Sequence, residues 1–137
     1  MADECTLNVR TNNPIDFTVA DGTAIAKGSV LKMTNGRVAI LADGDGDICA
    51  GIAARDKIAS DGRTQLAVFR RGIFTGTAGV AGVTVGEAIQ TDVSTSSANR
   101  LVDADVNSEQ IVGIALATAA SGATFQYELM PRAVDLA

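Results

Sequence analysis

The stretch that most constrains the fold runs from Gly51 to Phe74 and consists of two short apolar segments with a glycine turn between them. Asp61-Gly62 lies between the segments, and this dipeptide is a strong short-range turn signal because glycine adopts positive φ without strain. After the turn, Leu66 and Val68 point to one side of a pleat and Phe69 to the other, since successive side chains alternate. The stretch therefore predicts a strand, a turn and a second strand in the middle of a small β domain.

Short β-branched segments and spaced glycines also occur along the rest of the chain. A chain of 137 residues suits one domain and is long enough to bury a core. Its 14 glycines are distributed rather than clustered, which is typical of short strands joined by turns. We therefore predict an all-β fold: a compact β-barrel-like or sandwich single domain of short antiparallel strands. We expect an N-terminal arm at residues 1–14, the β domain at residues 15–131 and a C-terminal tail at residues 132–137.

Both predicted boundaries fall at prolines, which cannot donate to a strand ladder. Before Pro14, Leu7 and Val9 alternate with polar residues, so this segment is either a flexible arm, which we favour, or a short first strand. At the other end, Phe125, Tyr127 and Leu129 alternate with polar residues in a half-exposed strand that we expect Pro131 to end; the three apolar side chains face one way.

The segment from Val30 to Leu41 contains the clearest hairpin signal. Asn35-Gly36 is the preferred two-residue type I′ loop. With that loop Met33 lies opposite Val38, and Leu31 lies opposite Ile40. All four side chains then share one apolar face, so turn chemistry and side-chain pattern predict the same register.

A weak internal echo occurs at an offset of about sixty residues. Gly51-Ile52-Ala53 resembles Gly113-Ile114-Ala115, and Lys27-Gly28 followed by a strand resembles Val85-Gly86 followed by a strand. The echo predicts two similar β units packed on one another, with chance similarity of glycine-rich strands as the alternative.

The residue types argue against an enzyme. The chain has no histidine, which excludes Ser-His-Asp, Cys-His and His-metal arrangements. Cys5 and Cys49 could pair with each other, but free buried thiols are the simpler interpretation. Asp43 to Asp47 resembles the start of a calcium loop, but position 54 is Ala where such a loop needs Glu, so we interpret it as an acidic turn. We expect no catalytic residue, no cofactor, no metal and no small-molecule substrate.

The net charge and the first ten residues argue against two further classes of partner, nucleic acids and membranes. A net charge of −5 argues against nucleic acid, because phosphate binding needs clustered Lys and Arg and only Arg70-Arg71 are adjacent. Residues 1–10 lack the apolar core of a signal peptide, and no apolar run is long enough to cross a membrane. We therefore expect a protein that is made in a cytoplasm, stays soluble and does not bind membranes.

The repeated order of glycine-led strands is similar to that of the small capsid decoration, or cement, proteins of tailed bacteriophages. The motifs that carry this resemblance are Gly28-Ser-Val-Leu-Lys, Asn35-Gly36-Arg-Val-Ala, Gly51-Ile-Ala-Ala, Asp61-Gly62, Phe69-Arg70-Arg71-Gly72, Gly86-Glu-Ala-Ile, Gly113-Ile-Ala and Phe125-Gln-Tyr-Glu-Leu. The resemblance implies a β-barrel-like or β-tulip domain without catalytic residues or cofactor. It further implies an oligomer, expected to be a homotrimer with a dimer as the alternative, on the outer surface of an expanded head. There it would bridge neighbouring major capsid proteins in the virion.

Under that interpretation, partner contacts come from termini and loops rather than from a pocket. The expected contact residues are Leu7, Val9, Arg10, Arg70, Arg71 and Phe74, and the two adjacent arginines would pair with carboxylates of a capsid subunit. The alternative function is a carbohydrate- or cell-surface-binding β domain of a virion. Exposed aromatics would favour that alternative, but the phenylalanines are expected to fill the core and Tyr127 is the only tyrosine.

Overall fold

The computed structural model describes residues 3–92, 99–104 and 110–133, and the described residues form strands, turns and bends with no helix. Their strands are β1 (Thr6–Val9), β2 (Ile15–Thr18), β3 (Val30–Asn35), β4 (Val38–Leu41), β5 (Cys49–Ala53), β6 (Gln65–Phe69), β7 (Gly72–Ala78), β8 (Ala88–Thr91), β9 (Arg100–Asp103), β10 (Gln110–Ala115) and β11 (Thr124–Ala133). The predicted all-β fold is confirmed.

Strands β2 to β6 close into a first barrel in the order β2-β4-β3-β5-β6. Strands β2 and β4 run parallel, and the other neighbours run antiparallel. Leu66 and Val68 point into this barrel with Phe17 and Leu31, whereas Phe69 belongs to a different cluster. The alternation predicted for β6 is therefore confirmed.

Strands β7 to β11 close into a second barrel in the order β7-β11-β10-β8-β9, completed by a parallel pairing of β9 with β7. The last strand, β11, buries Phe125, Tyr127 and Leu129, while the residues between them are exposed, as its alternation predicts. Strand β1 adds to the outside of this barrel by antiparallel pairing with β7.

The two barrels have the same topology, which confirms the predicted pair of similar units. Each contains one parallel pair, β2–β4 and β7–β9, and the same succession of antiparallel pairs. Equivalent backbone groups also bond equivalently. Gly28 N donates to Ala53 O at 2.9 Å in the first barrel, and Gly86 N donates to Ala115 O at 2.8 Å in the second. These two glycines also have nearly the same φ, 89° and 84°.

A shared core joins the barrels into a single compact domain. Ile52 and Phe69 of the first barrel pack in one cluster with Phe74, Val112 and Tyr127 of the second. Strand β5 is buried along its whole length, because one face lines the first barrel and the other meets the second. The stretch beginning at residue 51 is thus the middle of the domain, as predicted.

The register predicted for the β3–β4 hairpin is wrong by one residue. Leu31 pairs with Leu41 and Met33 with Ala39, and the register shifts between Met33 and Asn35. The loop consists of Gly36 and Arg37, and Arg37 takes the left-handed conformation at φ 51°. Its guanidinium donates to the carbonyl oxygen of Asp16, at 2.5 Å from Nη2, so a contact with β2 holds a conformation that local turn preferences do not favour.

The first and last described strands both pair with β7 of the second barrel. Residues 6–9 of the expected arm form β1 and Cys5 is 6% exposed, so this segment takes the alternative of a short first strand that its alternation allowed. Strand β11 does not end at Pro131 but continues to Ala133. Pro131 lies where the register shifts, because Gly113 pairs with Leu129 and Ile111 with Arg132, and a bulge tolerates a missing donor. Residues 1–2 and 134–137 lie outside the described residues.

Candidate partner-binding surface

The structure brings together most of the residues predicted to contact a partner. Strand β1 carries Leu7 and Val9 and lies along β7, where Leu7 pairs with Phe74 and Val9 with Ile73. The turn that carries Arg70 and Arg71 leads directly into β7. Two sequence segments separated by about sixty residues therefore form one surface.

Val9 and Arg10 are the exposed apolar and charged residues at the end of β1. Val9 is 48% exposed. The Arg10 guanidinium carbon lies 5.7 Å from the centroid of the Phe69 ring, and its Nη2 donates to Asn13 Oδ1 at 2.8 Å. The ring and the amide orient the guanidinium and leave it exposed to solvent, so it is pre-positioned for an anionic group.

The two adjacent arginines have different environments. Arg70 is half-buried, and its Nη1 donates to Ala50 O at 2.9 Å and to Cys49 O at 3.3 Å. It therefore ties the β6–β7 turn to β5. Arg71 is exposed and is the arginine of the pair whose charge faces solvent.

Phe74 belongs to the core rather than to the surface. Its ring is 1% exposed, meets Phe69 edge-on at a centroid distance of 5.8 Å, and stacks with Tyr127 at 6.1 Å. Leu7 is half-buried and packs on the same cluster. The structure thus leaves Val9, Arg10 and Arg71 as the accessible members of the predicted set, with Leu7 partly accessible.

A groove of about 560 Å³ runs beside this surface. It is lined by residues of β1 and its flanks and by residues of the first barrel, namely Glu4, Cys5, Thr6, Leu7, Arg10, Lys27, Gly28, Ile52, Ala53, Ala54, Phe69 and Phe74. Residues 4–5 join the two sides of the groove, because Cys5 N donates to Gly28 O of the first barrel at 2.8 Å. Sequence reasoning missed Lys27, Gly28 and Ala54 as residues that line this groove, although the Lys27-Gly28 echo marked that segment.

The buried polar groups near the groove are unreactive at neutral pH. Cys5 and Cys49 are both free and buried, and the hydroxyl of Tyr127 donates to Cys5 Sγ at 3.0 Å. Burial raises the pKa of each thiol to about 12. Since the thiolate is the nucleophilic form, neither sulfur is activated.

Lys57 is a buried cation that holds together two turns of the first barrel. Its Nζ contacts Asp21 Oδ1 at 3.0 Å and Asp61 Oδ1 at 2.7 Å, and also bonds the carbonyl oxygens of Asp21 and Ile58. Burial by itself lowers the pKa of Lys57, but the hydrogen bonds to the two carboxylates raise it above its usual value. The same contact, together with the backbone N–H of Arg63, lowers the pKa of Asp61 to about 2.

The acidic turn predicted at residues 43–47 is closed by its own side chains. Asp47 Oδ2 accepts from the backbone N–H groups of Asp43 and Gly44, each at 2.9 Å, and Lys32 Nζ bonds Asp43 Oδ1 at 2.5 Å. Within residues 3–92, 99–104 and 110–133, no cluster of three or more His, Cys, Asp or Glu side chains could hold a metal ion. The described residues also contain no helix with the length and apolarity needed to span a membrane.

Comparison with known proteins gives one family and one fold. The model of a family described as phage cement protein matches residues 9–130. Among solved structures, the head fiber gp8.5 N base of bacteriophage phi29 aligns with a TM-score of 0.55 and 17% sequence identity, covering 88% of this chain and 98% of that one. At that identity the likeness concerns the fold. No curated protein matches the chain.

Proposed function

The chain belongs to the phage cement protein family, and on that premise we propose that it binds the outside of an expanded phage head and stabilises it by bridging neighbouring major capsid proteins. The family match over residues 9–130 carries this proposal and supports a structural role in the phage capsid. The role needs an accessible surface rather than reactive groups, and the buried, protonated thiols are compatible with it.

The proposed capsid contact is the exposed end of β1 together with the β6–β7 turn. Val9 offers apolar area, while Arg10 and Arg71 offer positive charge on a chain whose net charge is −5. Arginine pairs with carboxylates by two parallel hydrogen bonds, so an acidic strip on a capsid subunit is the matching chemistry. Leu7 supports this surface from below through its packing on the core.

We also propose that the protein acts as a homotrimer, with a dimer as the alternative. A trimer engages several capsid subunits at once, and linked weak contacts raise the overall affinity without any new contact type. The acidic surface keeps free copies soluble until such a composite site forms on the head. Sedimentation equilibrium of the purified protein distinguishes trimer, dimer and monomer directly.

The test of the function is addition of the purified protein to expanded heads that lack it. We expect it to co-sediment with the heads and to raise their melting temperature. Replacing Arg71 with Glu should weaken head binding, whereas Arg63→Glu, also exposed but on the first barrel, is the matched control. Heads whose melting temperature is unchanged by saturating protein would contradict the proposed role, and equal binding of the two variants would remove Arg71 from the contact.

A further inference from the structure

The duplicated barrels contain two equivalent glycine-centred surfaces, one with a segment of the chain docked on it and one on which no described residue lies. In the first barrel the site is centred on Gly28, against which residues 4–5 lie. In the second barrel the equivalent glycine is Gly86, since both glycines donate to the equivalent residue of the facing strand, Ala53 or Ala115. We call the second site the open face and define it as Val85, Gly86, Glu87 and Leu116.

The occupied site shows what such a site accepts. Cys5 N donates to Gly28 O at 2.8 Å, and a Cβ added at Gly28 would lie 2.3 Å from Cys5 O. The docked backbone therefore lies directly on the glycine, at a distance that a side chain would prevent. As a result Gly28 and Ser29 are both buried.

The open face has the same backbone hydrogen bond as the site at Gly28, but none of the described residues lies on it. A Cβ added at Gly86 meets no atom within 4 Å, and Gly86 and Glu87 are exposed. Val85 is 57% exposed and Leu116 is 43% exposed, whereas Ala54, the equivalent of Leu116, is half-buried. Two large apolar side chains thus flank an exposed glycine whose counterpart carries a docked segment.

Charge indicates what kind of segment fits. Lys27 of the first barrel shares its groove with Glu4 of the docked segment, an opposite-charge combination. On the second barrel Glu87 is exposed beside Gly86, and Asp103 lies nearby, accepting from the N–H and the hydroxyl of Thr84 at 2.8 Å each. Residues 72–133 carry six acidic and two basic side chains, against seven and eight in residues 15–71. A segment that docks here is complementary if it is basic.

We propose that the open face binds an extended, basic segment of the major capsid protein, which donates a backbone N–H to Gly86 O and packs apolar side chains on Val85 and Leu116. This inference rests on the proposed cement function. It adds a second capsid contact, located on the second barrel, to the contact proposed at β1 and the β6–β7 turn. The recognition mode is that of the occupied site, in which a backbone hydrogen bond to the glycine carbonyl holds the segment and the flanking side chains give selectivity.

The decisive variant is Gly86→Asn, matched by Gly62→Asn. Both glycines have φ 84° and open space around their Cβ positions, so the two substitutions impose the same backbone strain. Asparagine tolerates this left-handed conformation better than other side chains. At Gly86 its side chain occupies the space that the docked backbone needs, whereas Gly62 lies in a turn of the first barrel.

Head binding by wild type and both variants is measured by co-sedimentation with expanded heads that lack this protein. We expect Gly86→Asn to need about tenfold more protein for half-saturation, with a melting temperature equal to that of Gly62→Asn. Leu116→Gln, with Ile58→Gln as the exposed control, should weaken binding without relying on a glycine. Glu87→Lys should weaken it by charge reversal.

The outcomes separate this inference from the function on which it rests. If wild type binds heads and Gly86→Asn binds equally well, the open face is overturned while the cement function stands. If wild type itself does not bind, both are overturned. If Gly86→Asn lowers the mass of the free oligomer, the face joins copies of this chain and the capsid segment is refuted. Unchanged binding by Glu87→Lys would refute the basic character of the segment.

Discussion

Replacing Phe74 with Leu tests whether the molecule's core and its partner surface are divided as the structure places them. Sequence reasoning led to two expectations for Phe74, a place on the contact surface and a place in the core with the other phenylalanines, and its ring is 1% exposed between Phe69 and Tyr127. The substitution keeps an apolar side chain at the position and removes two aromatic contacts. It should therefore lower the stability of the free protein and leave head binding intact.

The size of the effect follows from those two contacts. Each aromatic pair contributes about 0.5–1.5 kcal/mol beyond the burial of its area. The free energy of unfolding should thus fall by about 1–3 kcal/mol, against a total of about 5–15 kcal/mol for a typical domain, so the variant still folds. A middle value of about 2 kcal/mol corresponds to a melting-temperature decrease of roughly 6–12 °C for a chain of this size.

The assay compares Phe74→Leu with Val9→Ala in two measurements, urea unfolding followed by circular dichroism and co-sedimentation with heads at 20 °C or below. Val9 lies on the paired strand β1 and is 48% exposed, so its truncation should change stability by no more than about 0.5 kcal/mol. We expect opposite profiles: Phe74→Leu loses stability and retains binding, while Val9→Ala retains stability and loses binding.

A Phe74→Leu variant that keeps its stability and loses head binding would refute the assignment of Phe74 to the core. If Phe74→Leu unfolds at the wild-type urea concentration but no longer binds heads, Phe74 acts in the interface. The core arrangement around its ring would then not describe the protein in solution.

Three further predictions concern stability and reactivity. Because contact with Lys57 lowers the pKa of Asp61 to about 2, the stability that this ion pair contributes should be complete above the ordinary carboxyl pKa near 4 and be lost as the pH falls towards 2. In the Asp61→Asn variant, the urea midpoint should therefore depend less on pH between pH 4 and 2 than it does in the wild type. Cys5 and Cys49, with pKa values raised to about 12, should react with a thiol reagent at pH 8 only after unfolding, and reaction at the rate of a free peptide thiol would contradict their burial. Gly113→Ala should cost about 1–3 kcal/mol in urea unfolding, because its Cβ would lie 1.9 Å from a backbone oxygen of β11; an unchanged midpoint would exclude that close approach.

Much of the fold could be predicted from local pattern. Alternation on β11 was right because one face is buried and the other is mostly exposed, and alternation on β6 was right because its two faces meet different clusters, with Phe69 buried in the core that joins the barrels. The internal echo correctly indicated two similar units, since equivalent glycines are needed at equivalent backbone positions. Gly51 and Gly113 both sit where a Cβ would lie about 2 Å from a backbone oxygen of the neighbouring strand.

The errors arose where distant residues decide a local conformation. In the β3–β4 hairpin, Arg37 has a positive φ and its guanidinium bonds Asp16 O of β2, a contact that the local turn pattern does not contain. Pro131 continues a strand because it lies in a bulge of β11, where three steps along β11 match two along β10. The pattern of residues 6–9 does not distinguish an arm from a strand, because the pairing partner β7 lies more than sixty residues away.

The sequence by itself determined the class of fold, the duplication and the absence of histidine chemistry, because these follow from residue types and from spacings within one or two strands. Only the tertiary structure decided which side chains are available to a partner. Arg70 and Arg71 are adjacent and identical in type, yet one bonds carbonyl oxygens of β5 and the other faces solvent. Gly28 and Gly86 have nearly the same φ and equivalent backbone hydrogen bonds, yet among the described residues a segment lies on Gly28 and none lies on Gly86. Exposure is a property of what the rest of the chain packs against, and local pattern does not contain it.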